Sequence, residues 1–317
     1  MHFPTDANLL FDAARKSIEY ASKLSEFAEL GGWRKAPYWI RKLKSRCHSV
    51  GRLFYYGGKN KPQKARAAAE AYLKLARQLS QKLDKNQSEF EAIAERSEKH
   101  HKVFENYQYF KGHLDKHIDL VSRRILEGES IPHVEKVFSL FEPYTEWLKR
   151  GKAAKRQELG LKIAIAQDQF GFIIANQVMQ KLQDKDIAVP ITEAMLRIHE
   201  IESISFDKNF WTPENYRKLS QLVQVVVMPK KGKRNQQEYE REHSKTFMAL
   251  RKQHSAIESA INCLEHHGLN RCPDRGLHNF KKYTALGVLA CNLHKLGNLL
   301  QEKERILSKN KPFKRAA

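Results

Sequence analysis

Cysteine is scarce. Only Cys47, Cys263, Cys272 and Cys291 occur in 317 residues, too few and too scattered for a disulfide framework, so reduced thiols are expected. The stretch CLEHHGLNRC does set Cys263 and Cys272 around His266 and His267. Zinc fingers, however, pair their ligands about two to four residues apart at each end. Neither cysteine has such a neighbour, which argues against a metal there. Long apolar runs are missing as well, since no stretch approaches the roughly 18 consecutive apolar residues of a spanning helix. The opening MHFPTDANLL has neither a basic n-region nor an apolar h-region, so nothing marks it for secretion. The expected location is the cytoplasm.

Acidic residues are the third shortage. Lysine and arginine total 57 against 36 aspartates and glutamates, a formal charge of +21 that is spread along the whole chain. Such an excess repels itself and calls for a polyanionic partner. DNA, RNA and an anionic membrane surface are the choices, and the lack of a spanning run removes membrane insertion. The length allows one large or two ordinary domains with a sizeable core.

Apolar side chains recur at helical spacing over residues 7–30 (Leu9, Leu10, Ala13, Ile18, Ala21, Leu24, Phe27, Leu30), until Gly31 and Gly32 stop the pattern. Residues 62–128 form a second helical block, basic on its outer faces. Between them Trp33, Tyr38, Trp39, Phe54, Tyr55 and Tyr56 alternate with lysines and arginines. No strand scaffold for a base-stacking platform is evident there, so these aromatics are read as core. After Pro132 the texture changes to short apolar runs. HVEKVFSLF (133–141), LGLKIAIAQ (159–167), FGFIIANQVM (170–179), SISFD (203–207) and VQVVVMP (223–229) read as strands, with Asp168 and Gln169 at a hairpin turn. From Glu238 to Leu300 the chain reads as helical, interrupted at 268–276, and KNKPFKRAA reads as a disordered basic tail. This order implies a mixed α/β core with a helical insertion.

Two carboxylates stand out. Asp207 closes the strand SISFD, which sets it at the carboxyl end of a strand, where open α/β sheets place their ligands. Glu258 lies in HSAIESAIN among small and apolar residues, and a glutamate on such a helix face is costly to bury without a cation. His254, four residues earlier, shares its face, and Arg251 lies one turn before that. An acidic pair in a very basic chain suits Mg2+ or Mn2+ and phosphodiester transfer. Lys230, Lys231, Lys233 and Arg234 form a basic turn after the last strand that can hold phosphates.

At these residues the chain resembles the DDE transposases of bacterial insertion sequences. HSAIESAINCLEHHGLNRCPDRGLHNFKKYTALGVLACNLHKLG resembles the block that carries their last catalytic glutamate. ISFDKNFWTPEN resembles their second-aspartate segment, and VVVMPKKGK the strand after it. FSLFEPYTEWLKRGK, LGLKIAIAQDQFGFI and HFPTDANLLFDAARK also match. The resemblance implies an α/β, ribonuclease-H-like mixed sheet with flanking helices and a large helical insertion. It implies Asp207 and Glu258 as catalytic metal ligands, with Arg251, His254, Lys230, Lys231, Lys233 and Arg234 toward DNA. It divides the chain into a core helix at 1–24, a basic helical insertion at 25–130, the core at 131–302 and a basic tail at 303–317. Asp168 and Glu146 are read as structural.

The resemblance also implies departures. The family's first aspartate lies upstream of the segment that HFPTD resembles, so it is expected to be missing here and activity to be impaired; Asp6 and Asp12 are the only acidic residues near. Asn209 stands where the family commonly has glycine, a left-handed turn position that asparagine tolerates. The expected function is DNA transposition, with DNA ends and target as partners and a homodimer on DNA. Two alternatives are a non-catalytic DNA-binding remnant and a helical nucleic-acid packaging protein, the second weakened by the strand-rich middle.

Overall fold

A computed structural model describes residues 4–27, 33–55, 60–149 and 157–309. The chain divides into two compact units, Met1–Thr145 and Glu146–Ala317.

In the first unit, helical spacing becomes helices. They are α1 (Asp6–Phe27), α2 (Ala36–Tyr55), α3 (Lys61–Lys85), α4 (Gln87–Ala94) and α5 (Glu98–Val121), followed by a π-helical turn at Ser122–Leu126. Pro62 opens α3, where its missing N–H costs nothing. At α5 the Ser97 hydroxyl accepts from the His100 amide at 3.3 Å and satisfies one unpaired donor. The apolar stripe of α1, with Leu10, Ile18 and Leu24, is buried with Leu73, Leu79, Tyr107 and Leu114. Each such leucine contributes roughly 2 kcal/mol. The core tyrosines keep their hydroxyls bonded: Tyr72 donates to the Ala7 carbonyl at 3.1 Å and Tyr107 to that of Leu83 at 3.3 Å.

The aromatics of α2 and its approach divide. Trp33 is buried under the Lys82 ammonium, 4.5 Å from its ring, and Trp39 packs on the same core, while Tyr38 is exposed. The side chains of Phe54, Tyr55 and Tyr56 lie outside the described residues, as do residues 310–317 of the basic tail.

The strand expected at 133–141 is not formed. His133–Glu135 make one 3-10 turn and the remainder is irregular, with Val134 95% exposed. A strand needs a partner ladder, and here the segment instead presses Leu140 and Val137 onto the helical core. Tyr109 donates to the Leu140 carbonyl at 3.0 Å and holds it there.

The second unit mixes strands and helices. Strands β1 (Glu146–Lys149) and β2 (Gln157–Gly160) pair antiparallel, a hairpin the strand pattern did not reveal. Strands β3 (Lys162–Gln167) and β4 (Ile173–Met179) form the second hairpin. Its turn is set by Asp168, whose Oδ1 accepts the amides of Phe170 and Phe172 at 2.9 and 2.8 Å, while Gly171 takes φ 88°. Glu146 is structural in the same sense, since its carboxylate accepts the Lys181 amide at a left-handed turn.

Next come α6 (Asp184–Leu196), β5 (Ser203–Ser205), α7 (Pro213–Leu222) and β6 (Val225–Val227). Strands β5 and β6 pair in parallel with α7 as their crossover, which is a βαβ unit. Met179, Ile187, Ile191, Phe206, Leu219 and Met228 are buried together beneath it. The chain ends with α8 (Gln236–Glu242), α9 (Lys245–His254), α10 (Ala256–Leu264), a π-helical turn at Glu265–Leu269, and α11 (Leu277–Lys309).

The fold is mixed α/β and mostly helical. One continuous mixed sheet was expected, yet among the described residues the strands form three separate two-stranded sheets. Strands β5 and β6 carry only three ladder positions each, and helices rather than further strands supply much of the core around them. Among the described residues no helix is long and apolar enough to cross a membrane.

Candidate functional site

Asp207 lies directly past the carboxyl end of β5. The Phe206 amide still bonds the Val227 carbonyl at 2.9 Å, and Asp207 then caps a 3-10 turn at Lys208–Phe210, its Oδ1 accepting the Lys208 amide at 2.7 Å. Arg251 on α9 reaches this strand end: its guanidinium is 3.7 Å from the same Oδ1 and donates to the Phe206 carbonyl at 3.3 Å. The Asp207 side chain is 54% exposed. Both contacts fall on Oδ1, so the carboxylate keeps an oxygen for a hydrated hard cation. Asn209 sits within the 3-10 turn and is not at positive φ, so the left-handed conformation expected there is not used.

His254 joins this group. It is half-buried at the last residue of α9 and hydrogen-bonds the Ser205 backbone. Burial holds its pKa below the ordinary histidine value and the Arg251 cation lowers it further, against the opposing pull of Asp207 and Ser205. The balance favours the neutral ring.

Glu258 is placed differently from the expectation. The helix breaks at Ser255, so His254 ends α9 and Glu258 lies in the first turn of α10. His254 and Glu258 thus lie on two successive helices rather than on one continuous helix. Glu258 is also exposed rather than buried: α10 turns Ala260 and Leu264 inward and leaves the carboxylate in water, where it makes no ion pair among the described residues. No desolvation cost forces a partner on it, and hydrated ions can reach it.

The basic turn splits. Lys230 pairs with Glu238 at 2.6 Å and Arg234 with Glu242 at 2.7 Å, and Glu242 Oε1 also accepts the Lys230 amide at 2.7 Å. Two of the four cations are thus partly neutralised within the fold. Lys231 and Lys233 are exposed and, among the described residues, form no ion pair.

A cavity of about 420 Å³ is lined by Lys208, Arg234, Glu242, His243 and Arg251 among others; Asp207 adjoins it in sequence through Lys208 but is not itself in its wall. Lys208 and His243 were not singled out in the sequence; the signal for Lys208 was its place next to Asp207, whereas His243 reaches the cavity only through the packing of α8. A larger hollow of about 800 Å³ lies in the helical unit, lined by Arg41, Lys44, His48 and Arg52. It has cations but no carboxylate in its wall. Asp6 and Asp12, the acidic residues near the start of the chain, are each held by an arginine: Asp6 by Arg124 at 2.6 Å and Asp12 by Arg15 at 3.7 Å.

The model of the transposase DDE domain family matches residues 122–293, more than half of the chain. The chain belongs to the DDE transposase family. Transposition of DNA is the function that this family carries, with DNA as partner and divalent metal ions in general use. No curated protein and no solved structure matches the chain. The DDE match contains the βαβ unit, Asp207, Arg251, His254 and Glu258.

Proposed function

We propose that the second unit is the ribonuclease-H-like catalytic region of an insertion-sequence transposase, in which Asp207 and Glu258 hold Mg2+ or Mn2+. The observation that carries this reading is the position of Asp207 at the carboxyl end of a parallel strand, in contact with Arg251, which also lines the neighbouring cavity with Lys208 and Arg234. The donor set fits a hard divalent ion, because both groups offer carboxylate oxygens accessible to water. Such ions supply activation of a water or 3′-hydroxyl and stabilise the leaving oxygen in phosphodiester transfer. The chain's own residues do the rest. Lys208, Lys231, Lys233 and Arg251 bind and orient phosphates, and His254 fastens the end of α9 to β5 through the Ser205 backbone. DNA ends and target DNA are the substrates, held by a homodimer in the cytoplasm.

A second reading, DNA binding without cleavage, is favoured by one observation: Asp6 and Asp12 are held by arginines. Two carboxylates neutralise only half the charge of two divalent ions, which leaves the ions weakly held. The deciding experiment is a nicking and strand-transfer assay with Mg2+ or Mn2+ on the chain, Asp207→Asn and Glu258→Gln. Activity lost in both variants supports the catalytic reading. Salt-sensitive DNA binding with no activity in any of the three supports the second reading, and activity unchanged in both variants removes the assignment of the two carboxylates.

A further inference from the structure

A second group of donors lies away from Asp207, where α10 meets α11. Sγ of Cys263 and one ring nitrogen each of His267 and His294 lie within 4.8 Å of one another. The His267 and His294 rings meet edge to face with centroids 5.5 Å apart. Cys291, one turn before His294 on α11, is disulfide-bonded to Cys263 with their Cα atoms 6.2 Å apart. The reduced state expected for these two cysteines is thus replaced by a bonded pair, because the packing of α10 on α11 brings together residues 28 apart in sequence.

We propose that, with these cysteines reduced, Cys263, His267, Cys291 and His294 form a tetrahedral zinc site. Zinc takes thiolate sulfur at about 2.3 Å and imidazole nitrogen at about 2.0–2.1 Å, which sets donor atoms roughly 3.3–3.8 Å apart. Cys263, His267 and His294, already within 4.8 Å of one another, reach that spacing by small side-chain rotations, and Cys291, bonded to Cys263 and one turn before His294, is the adjacent fourth donor once released. A dithiol reductant delivers two electrons and two protons to the Cys263–Cys291 bond and itself becomes a disulfide. Zinc then displaces both thiol protons to solvent. The disulfide and the metal are therefore alternative fastenings of the same two helices.

The surrounding backbone is built to hold the donors. Past Cys263 the chain makes a π-helical turn that leaves helical geometry at His267 and Gly268, the latter at φ 92°. Tyr283 of α11 donates to the Gly268 carbonyl at 3.2 Å, and Gly287 lets Leu269 approach α11 closely. Asn292, next to Cys291, exchanges two hydrogen bonds with the Ile173 backbone at 2.9 and 3.0 Å, which ties that turn of α11 to β4. The zinc pattern dismissed in CLEHHGLNRC thus has its missing partners on α11, and Cys272 is not among the clustered donors. Four protein ligands leave no open position, so the site is structural. It fastens α10, the helix that carries Glu258.

The test uses the tag-free full chain, reduced with a phosphine and titrated with zinc chloride against a chromophoric chelator, with cobalt(II) as a spectroscopic substitute. The expected result is about one zinc per chain, and a cobalt spectrum with thiolate charge transfer and tetrahedral d–d bands. Cys263→Ser and His267→Ala each weaken binding by at least about tenfold, whereas Cys272→Ser and Asp207→Asn retain it. The air-oxidised chain, whose sequence is unaltered, loses the zinc, so the result does not hang on whether a variant folds. Absence of zinc from the reduced chain, equal binding by the oxidised chain, or retention in Cys263→Ser would overturn the proposal.

Discussion

Arg251 touches the end of β5 twice, its guanidinium lying 3.7 Å from the Asp207 carboxylate while donating to the Phe206 carbonyl at 3.3 Å. The contact joins α9 to the strand end that carries the carboxylate. It is also open to water, with side-chain exposures of 37% and 54%, so screening keeps its contribution to stability small, about 0–1 kcal/mol. A cation held by Asp207 would compete with the guanidinium for the carboxylate and leave Arg251 available to phosphate.

Arg251→Ala is accordingly expected to move Tm by less than about 4 °C. It should also lower the slope of log binding constant against log salt for duplex DNA by about 1. Fluorescence anisotropy titrations between roughly 50 and 200 mM salt read this slope. An unchanged slope would take Arg251 out of the DNA interface.

Glu242 offers a contrast in the same unit. Its side chain is nearly inaccessible and accepts from both the Lys230 amide and the Arg234 guanidinium at 2.7 Å. Glu242→Ala strands both donors and is expected to cost about 2 kcal/mol, seen as a lower urea midpoint. The double change Lys231→Ala with Lys233→Ala should leave that midpoint in place and lower the salt slope for DNA by about 2. Equal effects of the two on stability would contradict the division of the basic turn into paired and exposed cations.

His117 predicts a pH dependence. It is fully buried in the helical unit, and its Nδ1 contacts the His113 carbonyl at 2.7 Å. Burial pushes its pKa down to about 4. The folded value lies below the unfolded one of about 6.5, so the unfolded chain binds the proton first as pH falls. The neutral ring's contribution is complete above about 6.5 and disappears between there and about 4, at a total of roughly 3 kcal/mol. Chemical denaturation from pH 7 to 4 should flatten in His117→Gln relative to the parent. Parallel curves would show that the histidine does not titrate in this window.

Gly287 predicts a steric effect at the junction of α10 and α11. A Cβ there would lie 2.8 Å from Cγ and Cδ1 of Leu269. Gly287→Ala gains helix propensity of about 1 kcal/mol but overpacks the contact at about 1–3 kcal/mol. The expected outcome is no gain or a net loss, and Leu269→Ala in the same chain should restore tolerance. A rise in Tm from Gly287→Ala alone would mean that Leu269 moves aside at no cost.

Local chemistry made much of the fold legible. Helical spacing revealed α1, α3 and α5, because one buried stripe requires that period whatever the stripe packs against. Apolar runs located β3, β4, β5 and β6, and Asp168 marked its turn because its carboxylate bonds amides only two and four residues away. The segment 133–141 misled because its apolar residues satisfy a helical surface as readily as a ladder. Position along the chain likewise set Asp207 at a strand end. The exposure of Glu258, the loss of two basic-turn charges to Glu238 and Glu242, and the meeting of Cys263 with Cys291 were left to the tertiary structure. Burial and ion pairing depend on which helices pack face to face, and spacing along one helix carries no record of its distant neighbour.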